Sequence, residues 1–171
     1  MSIAAALAIS LVTVSAQAEY PKKPINVIVP WGAGGDSDLT TRVWADAMEK
    51  ELGTPVVVIN KAGGGGVIGT TFVANAKKDG YTLINAGLSN VLVTPNFSKT
   101  PYSFDSFVPI VKFTAVPLGI LVAKDSEFKT FDDFIAAAKS KKITQGSWGA
   151  ASSGTILANI IADQAGYTPK F

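Results

Sequence analysis

The residues able to do chemistry gather in glycine-rich turns. Gly32, Gly34 and Gly35 follow the apolar run Ile25–Val29 and Pro30, and Asp36, Ser37 and Asp38 come immediately after. The run reads as a short buried strand, and the acidic and hydroxyl residues are helix N-cap types. A strand that passes through glycines into a helix start presents unpaired N–H groups and the positive end of a helix dipole, which suits an anion. The same glycines would also serve a plain tight turn, and this loop alone does not separate the two. A second stretch, Gly146-Ser147-Trp148-Gly149-Ala150-Ala151-Ser152-Ser153-Gly154, repeats the strand–loop–helix device. Its serines are either capping residues or hydrogen-bond donors to a carboxylate.

Other motifs carry less. Asp36 and Asp38, two residues apart at a helix start, look like caps more than a catalytic pair. Asp38 is also placed to receive a ligand's hydroxyl or amine. Trp31 and Trp148, inside the loops, are cleft walls or satellite core contacts. Gly64-x-Gly66-x-x-Gly69 matches a dinucleotide fingerprint, but it falls on the second strand–helix turn. The acidic residue expected about 20 positions on is missing, because the next strand ends in Asn85-Ala86-Gly87. There is no phosphate loop ending in Lys-Ser/Thr.

Two absences narrow the chemistry further. The 171 residues hold no His and no Cys. A Ser-His-Asp triad, a thiolate nucleophile and the usual zinc ligands are therefore excluded, and no metal or cofactor is expected. Enzyme readings are left with carboxylates, Lys, Tyr or a cofactor. The net charge of +2 and basic runs no longer than two residues give no case for nucleic acid.

The elements that must position these loops can be read in order. Residues 1–18 form a small-apolar run ending Ala16-Gln17-Ala18. The spacing predicts a secretory signal peptide cut after Ala18, although no basic residue precedes the run. A strand at Ile25–Val29 leads to a helix from about Asp38 to Leu52, whose buried face is expected to hold Leu39, Val43, Ala47 and Met48. A strand at Val56–Ile59, a helix from about Val67 to Ala76 and a strand at Tyr81–Asn85 complete a βαβαβ order. That order implies an open parallel sheet, with ligands outside the carboxyl ends of its strands. Asn96–Asp105 is turn-rich, and Phe107–Phe113 and Leu118–Ala123 are apolar runs. Thr130-Phe131-Asp132-Asp133 is a capping box opening a helix to about Lys139. Ile143–Gln145 is a short strand candidate, and a last helix is expected over about Thr155 to Ala165.

Several ordered motifs together resemble one family. They are TyrProLysLysProIle, then ValProTrpGlyAlaGlyGlyAspSerAsp, then Asn60-Lys61-Ala62 with Gly63–Gly66 and Gly69, then Lys78-Asp79-Gly80-Tyr81-Thr82-Leu83, and the Gly146-Ser147/Gly149 loop. The chain from about Tyr20 to Phe171 is similar to the extracytoplasmic substrate-binding proteins of tripartite tricarboxylate transporters, the Bug family. The resemblance implies a two-lobed periplasmic-binding-protein fold of α/β class with open, mainly parallel sheets. Residues 19–115 would be the first lobe and 116–171 the start of a second, incomplete lobe, so that the chain is the N-terminal portion of a longer protein. It implies a periplasmic monomer that is no enzyme, that closes on a small carboxylate and that delivers it to membrane permease subunits. Carried over by position, the binding residues are Gly34, Gly35 and Asp38, then Ala86 and Ser89, then Ser147, Gly149, Ser152 and Ser153. Thr155 stands where members commonly show His.

About four charge-assisted hydrogen bonds at ~1.5–3 kcal/mol each, less the cost of association, suit roughly micromolar to millimolar dissociation constants. A second lobe left incomplete is expected to bind weakly or not at all. Two other readings stand beside this one: a carboxylate sensor for a signalling partner, and a doubly wound nucleotide-dependent enzyme.

Overall fold

The computed structural model describes residues 20–115, 117–141 and 143–171, so the expected signal peptide lies outside the described residues. The molecule is built on a three-stranded sheet of β1 (Ile25–Val29), β2 (Val56–Asn60) and β3 (Thr82–Ile84). The strand order is β2-β1-β3, with both pairings parallel and Val27 opposite Val58 and Leu83. The expected βαβαβ unit is therefore present. Ile25, Val27, Ile28 and Val29 are all fully buried. Successive residues of a strand point to opposite faces, so the central strand is covered on both. That is why four of its five residues are apolar, Asn26 being only partly buried. At the edge, β2 is less enclosed, and Val57 is exposed.

The helix α1 (Asp36–Leu52) ends at Gly53, whose left-handed backbone returns its N–H to the Glu49 carbonyl. Its start differs from expectation. Gly35 occupies the N-cap position without a side-chain cap, and Asp36 is exposed rather than capping. Its inner face also differs. Leu39 is 57% and Val43 73% exposed, whereas Asp38, Thr41 and Ala45 are buried. Of the four expected contacts only Met48 packs on the core of Ile25, Val27, Ala45 and Val56, with Trp44 beside it. The helix α1 lies against β1 and β2, and close approach of a helix to the sheet calls for small residues. Thr41 meets that need and bonds Asn85 Nδ2 through its hydroxyl at 2.6 Å.

Between β2 and β3, a tight turn at Gly64–Gly66 feeds α2 (Val67–Ala74). The region after β3 is helical: a π-helical turn over Ser89–Val93 runs into α3 (Thr94–Phe97), which takes up the first two residues of the stretch expected to be turn-rich. The apolar runs Phe107–Phe113 and Leu118–Ala123 pair with no strand among the described residues. Val108 and Leu121 are 86% and 93% exposed. Then α4 (Phe131–Ser140) starts at the expected capping box, with Thr130 and Asp133 each bonding the other's backbone N–H. Thr144 forms a single parallel bridge to Lys170 where a strand was expected. Finally α5 (Ser153–Ala165) is capped by Ser152 and closed by Gly166.

Candidate functional site

Asp38 organises the first loop. It is 2% exposed, yet it carries a charge, so its oxygens must be satisfied. One carboxylate oxygen accepts the Gly34 N–H at 2.8 Å, and Asn60 Nδ2 donates to the other at 3.0 Å. Arg42, one turn on, pairs with it at 2.9 Å. Asn60, the last residue of β2, also donates to the Trp31 carbonyl at 3.1 Å. Arg42 foremost, with the Gly34 N–H next, holds the Asp38 carboxyl down to about 2. The carboxylate thus ties α1, β2 and the first glycine loop together.

The second glycine loop is shaped from beneath. Gly63, Gly64, Gly65 and Gly66 all take positive φ. A Cβ on Gly66 would lie 1.9 Å from Nδ2 of Asn90, which is itself fully buried and bonds the Gly65 carbonyl at 3.3 Å. A Cβ on Gly69 would meet the Lys61 carbonyl oxygen at 2.7 Å. Close packing of turn and helix accounts for the fingerprint spacing, and no dinucleotide is needed to explain it.

A hydroxyl cluster forms the third element. Ser147 and Ser152 are 2.8 Å apart at Oγ. Thr155 Oγ1 lies 2.7 Å from both Ser147 Oγ and the Gly149 carbonyl, and Ser152 Oγ accepts the Thr155 N–H at 3.2 Å. Where a His was expected from the resemblance, Thr155 is therefore a buried brace of the loop. Across from it, Ser89 Oγ accepts the Ser153 N–H at 3.2 Å and bonds its hydroxyl at 3.3 Å. This contact joins the π-helical turn to the start of α5.

These pieces enclose one cavity of about 360 Å³, within the range usual for small-molecule sites. The two tryptophans Trp31 and Trp148 line it, as do Gly64 and Gly65, Ser89 and Ser152. Gly149, Ala150 and Ala151 complete one wall. Among the described residues, their three N–H groups take no partner within the protein. A Cβ on Gly154 would sit 2.7 Å from Trp148 Cη2, so that glycine seats the indole.

Of the expected site residues, Ser89, Gly149 and Ser152 line the cavity. Ser147 and Ser153 lie directly behind it through their hydrogen bonds to Ser152 and Ser89. Gly34 and Gly35 are exposed on the first loop, Asp38 is occupied as described, and Ala86 is outside the lining. Sequence reasoning used the run Gly63–Gly66 as a family motif, and Gly64 in a dinucleotide fingerprint, without naming Gly64 or Gly65 as binding residues, and it passed over Lys99 and Thr100. The run of four glycines after a strand was a usable signal for the first pair. Nothing local marks the second.

Residues 40–169 match the model of the tripartite tricarboxylate transporter family receptor. The chain is 35% identical over 162 residues to a UPF0065 protein of Bordetella bronchiseptica, covering 94% of this chain and 48% of that one. Among solved structures, it resembles a TctC solute binding protein from Polaromonas at 33% identity and a TM-score of 0.67, covering 89% of this chain and 52% of that one. It also resembles MatC from Rhodopseudomonas palustris, solved with bound malate, at 26% identity and a TM-score of 0.73, covering 88% and 53%. The chain spans about half the length of the curated relatives it matches.

Proposed function

The chain belongs to the tripartite tricarboxylate transporter receptor family, and from that premise we propose that it captures a small carboxylate in the cavity between its glycine and serine loops. Members of this family are solute-binding receptors, not enzymes, which sets aside the nucleotide-dependent enzyme. One observation carries the reading to this chain. The cavity is lined by Gly149, Ala150 and Ala151, whose N–H groups have no partner within the protein among the described residues, and no carboxylate of the described residues lines it. Donors without a competing acceptor charge suit an anion, and charge-assisted bonds are the stronger kind. Malate bound to MatC supports the same ligand class.

In the full reading, residues 1–18 direct export to the periplasm. Residues 19–115 and 116–171 belong to two lobes that close on the ligand, which passes to membrane permease subunits. Among the described residues, no helix is long and apolar enough to cross a membrane.

Tryptophan fluorescence tests the capture step, since Trp31 and Trp148 line the cavity. Titration with malate should give a saturable change at roughly millimolar concentration, and Ser89→Ala, which removes the tie to Ser153 at the cavity lining, should weaken it about fivefold, the worth of one hydrogen bond. A response that never saturates, or one indifferent to Ser89→Ala, would count against the reading.

A further inference from the structure

Among the described residues, the cavity lining holds a single charged side chain, Lys99, in the segment just after α3. Every other lining residue is glycine, alanine, valine, a hydroxyl residue or tryptophan. Among the described residues, Lys99 has no ion-pair partner, in contrast to Lys23, Arg42, Lys50 and Lys141. Its neighbours in the lining, Ser98 and Thr100, add hydroxyls to the same wall. An exposed ammonium at a cavity lining that, among the described residues, has no carboxylate attracts any anionic group that enters. Gly149, Ala150 and Ala151, in the segment before α5, add N–H donors to the same lining, and in the carboxylate reading these serve a first carboxylate.

Resting on the carboxylate reading above, we infer that Lys99 is a specificity-determining residue that pairs with a second anionic group at the far end of the ligand. The cavity then selects for ligand charge as well as shape. Two anionic ends meet Lys99 and the 149–152 loop, and an apolar middle lies against the indoles of Trp31 and Trp148. Electrostatic complementarity of this kind discriminates between ligands more than it raises overall affinity. A ligand with one carboxylate fills the donor wall and leaves Lys99 to water.

The test compares acids that differ only in the second carboxylate: succinate against butyrate, and adipate against hexanoate. Each is titrated by tryptophan fluorescence into the full chain, into Lys99→Met, into Lys99→Arg, and into Lys124→Met as an exposed charge removed outside the cavity. The expected result is a preference of about tenfold for at least one diacid over its monoacid. That preference should vanish in Lys99→Met and persist in Lys99→Arg and Lys124→Met. A preference unchanged in Lys99→Met, lost equally in Lys124→Met, or absent from the parent chain while both acids bind would overturn the role of Lys99. If none of the four acids gives a saturable response with the parent chain, the carboxylate reading itself falls, and the inference with it. Because Lys99 is exposed and its side chain bonds no other residue among those described, its replacement is expected to leave the fold intact, and circular dichroism of the variants checks this.

Discussion

A buried carboxylate needs partners, and the partners of Asp38 explain what the first glycine loop is for. Arg42, Gly34 and Asn60 hold it ionised, so the fold favours the charged form over the unfolded chain, whose value is near 3.8. The sign follows from that depression. The folded state releases this proton more readily, so the stabilisation is complete above about pH 4 and is lost as the pH falls through about 2. An acid titration followed by circular dichroism should therefore show a loss between those values. Asp38→Asn should be less stable at neutral pH and flatter across the same window. Equal acid sensitivity in the two proteins would place the titrating group elsewhere. Asp38 stood out in the sequence because it follows glycines at a helix start. Its partner Asn60 did not, since a hydrogen bond between residues 22 positions apart exists only once β2 lies beside β1. Thr130 and Asp133 were legible for the opposite reason: their capping box closes within a single turn.

At the scale of elements, the apolar runs gave the strands because burial on both faces demands them, and glycines gave the helix ends. The face of α1 was not legible in the same way. Hydrophobic periodicity weighs residue type, while close helix–sheet approach is met here by Thr41 and Ala45, small residues that this weighting undervalues. Packing of α2 rests on the same closeness. Its Gly69 lies so near Pro30 that a Cβ would stand 2.9 Å from Pro30 Cα and 2.7 Å from the Lys61 oxygen, both backbone atoms. Alanine would gain about 1 kcal/mol in helix propensity. Overpacking against backbone costs about 1–3 kcal/mol, so the clash should win. Gly69→Ala is expected to lower the urea midpoint, whereas Gly146→Ala, with open space around it, should leave the midpoint nearly unchanged. A stabilised Gly69→Ala would mean that α2 can shift away from β1 without loss.

For the molecule as a whole, the candidate site is a product of long-range assembly. Ser89 and Ser153 are 64 positions apart, and they meet because the turn after β3 is helical and carries Ser89 to the start of α5. Sequence motifs supplied the loops singly, but Lys99 enters the cavity only through that fold. The same assembly leaves residues 107–115 and 117–123 outside any helix or strand, with Val108, Ile110, Val111 and Leu121 open to solvent. Phe107 N–H still bonds the Phe104 carbonyl at 3.1 Å; beyond it, among the described residues, no backbone hydrogen bond forms until Ser126 bonds the Ala123 carbonyl. Amide exchange reports such bonds directly, because protection requires the N–H to be paired. Amides of β1 should exchange slowly and those of Val108–Val111 at nearly the rate of an unfolded chain. An apolar, unpaired strand is also a template for pairing with another chain. Protection at Val108–Val111 should therefore rise with protein concentration, and a Val108→Lys/Ile110→Lys variant should abolish the rise. Slow exchange there in dilute solution, independent of concentration, would mean that the segment already pairs within its own chain.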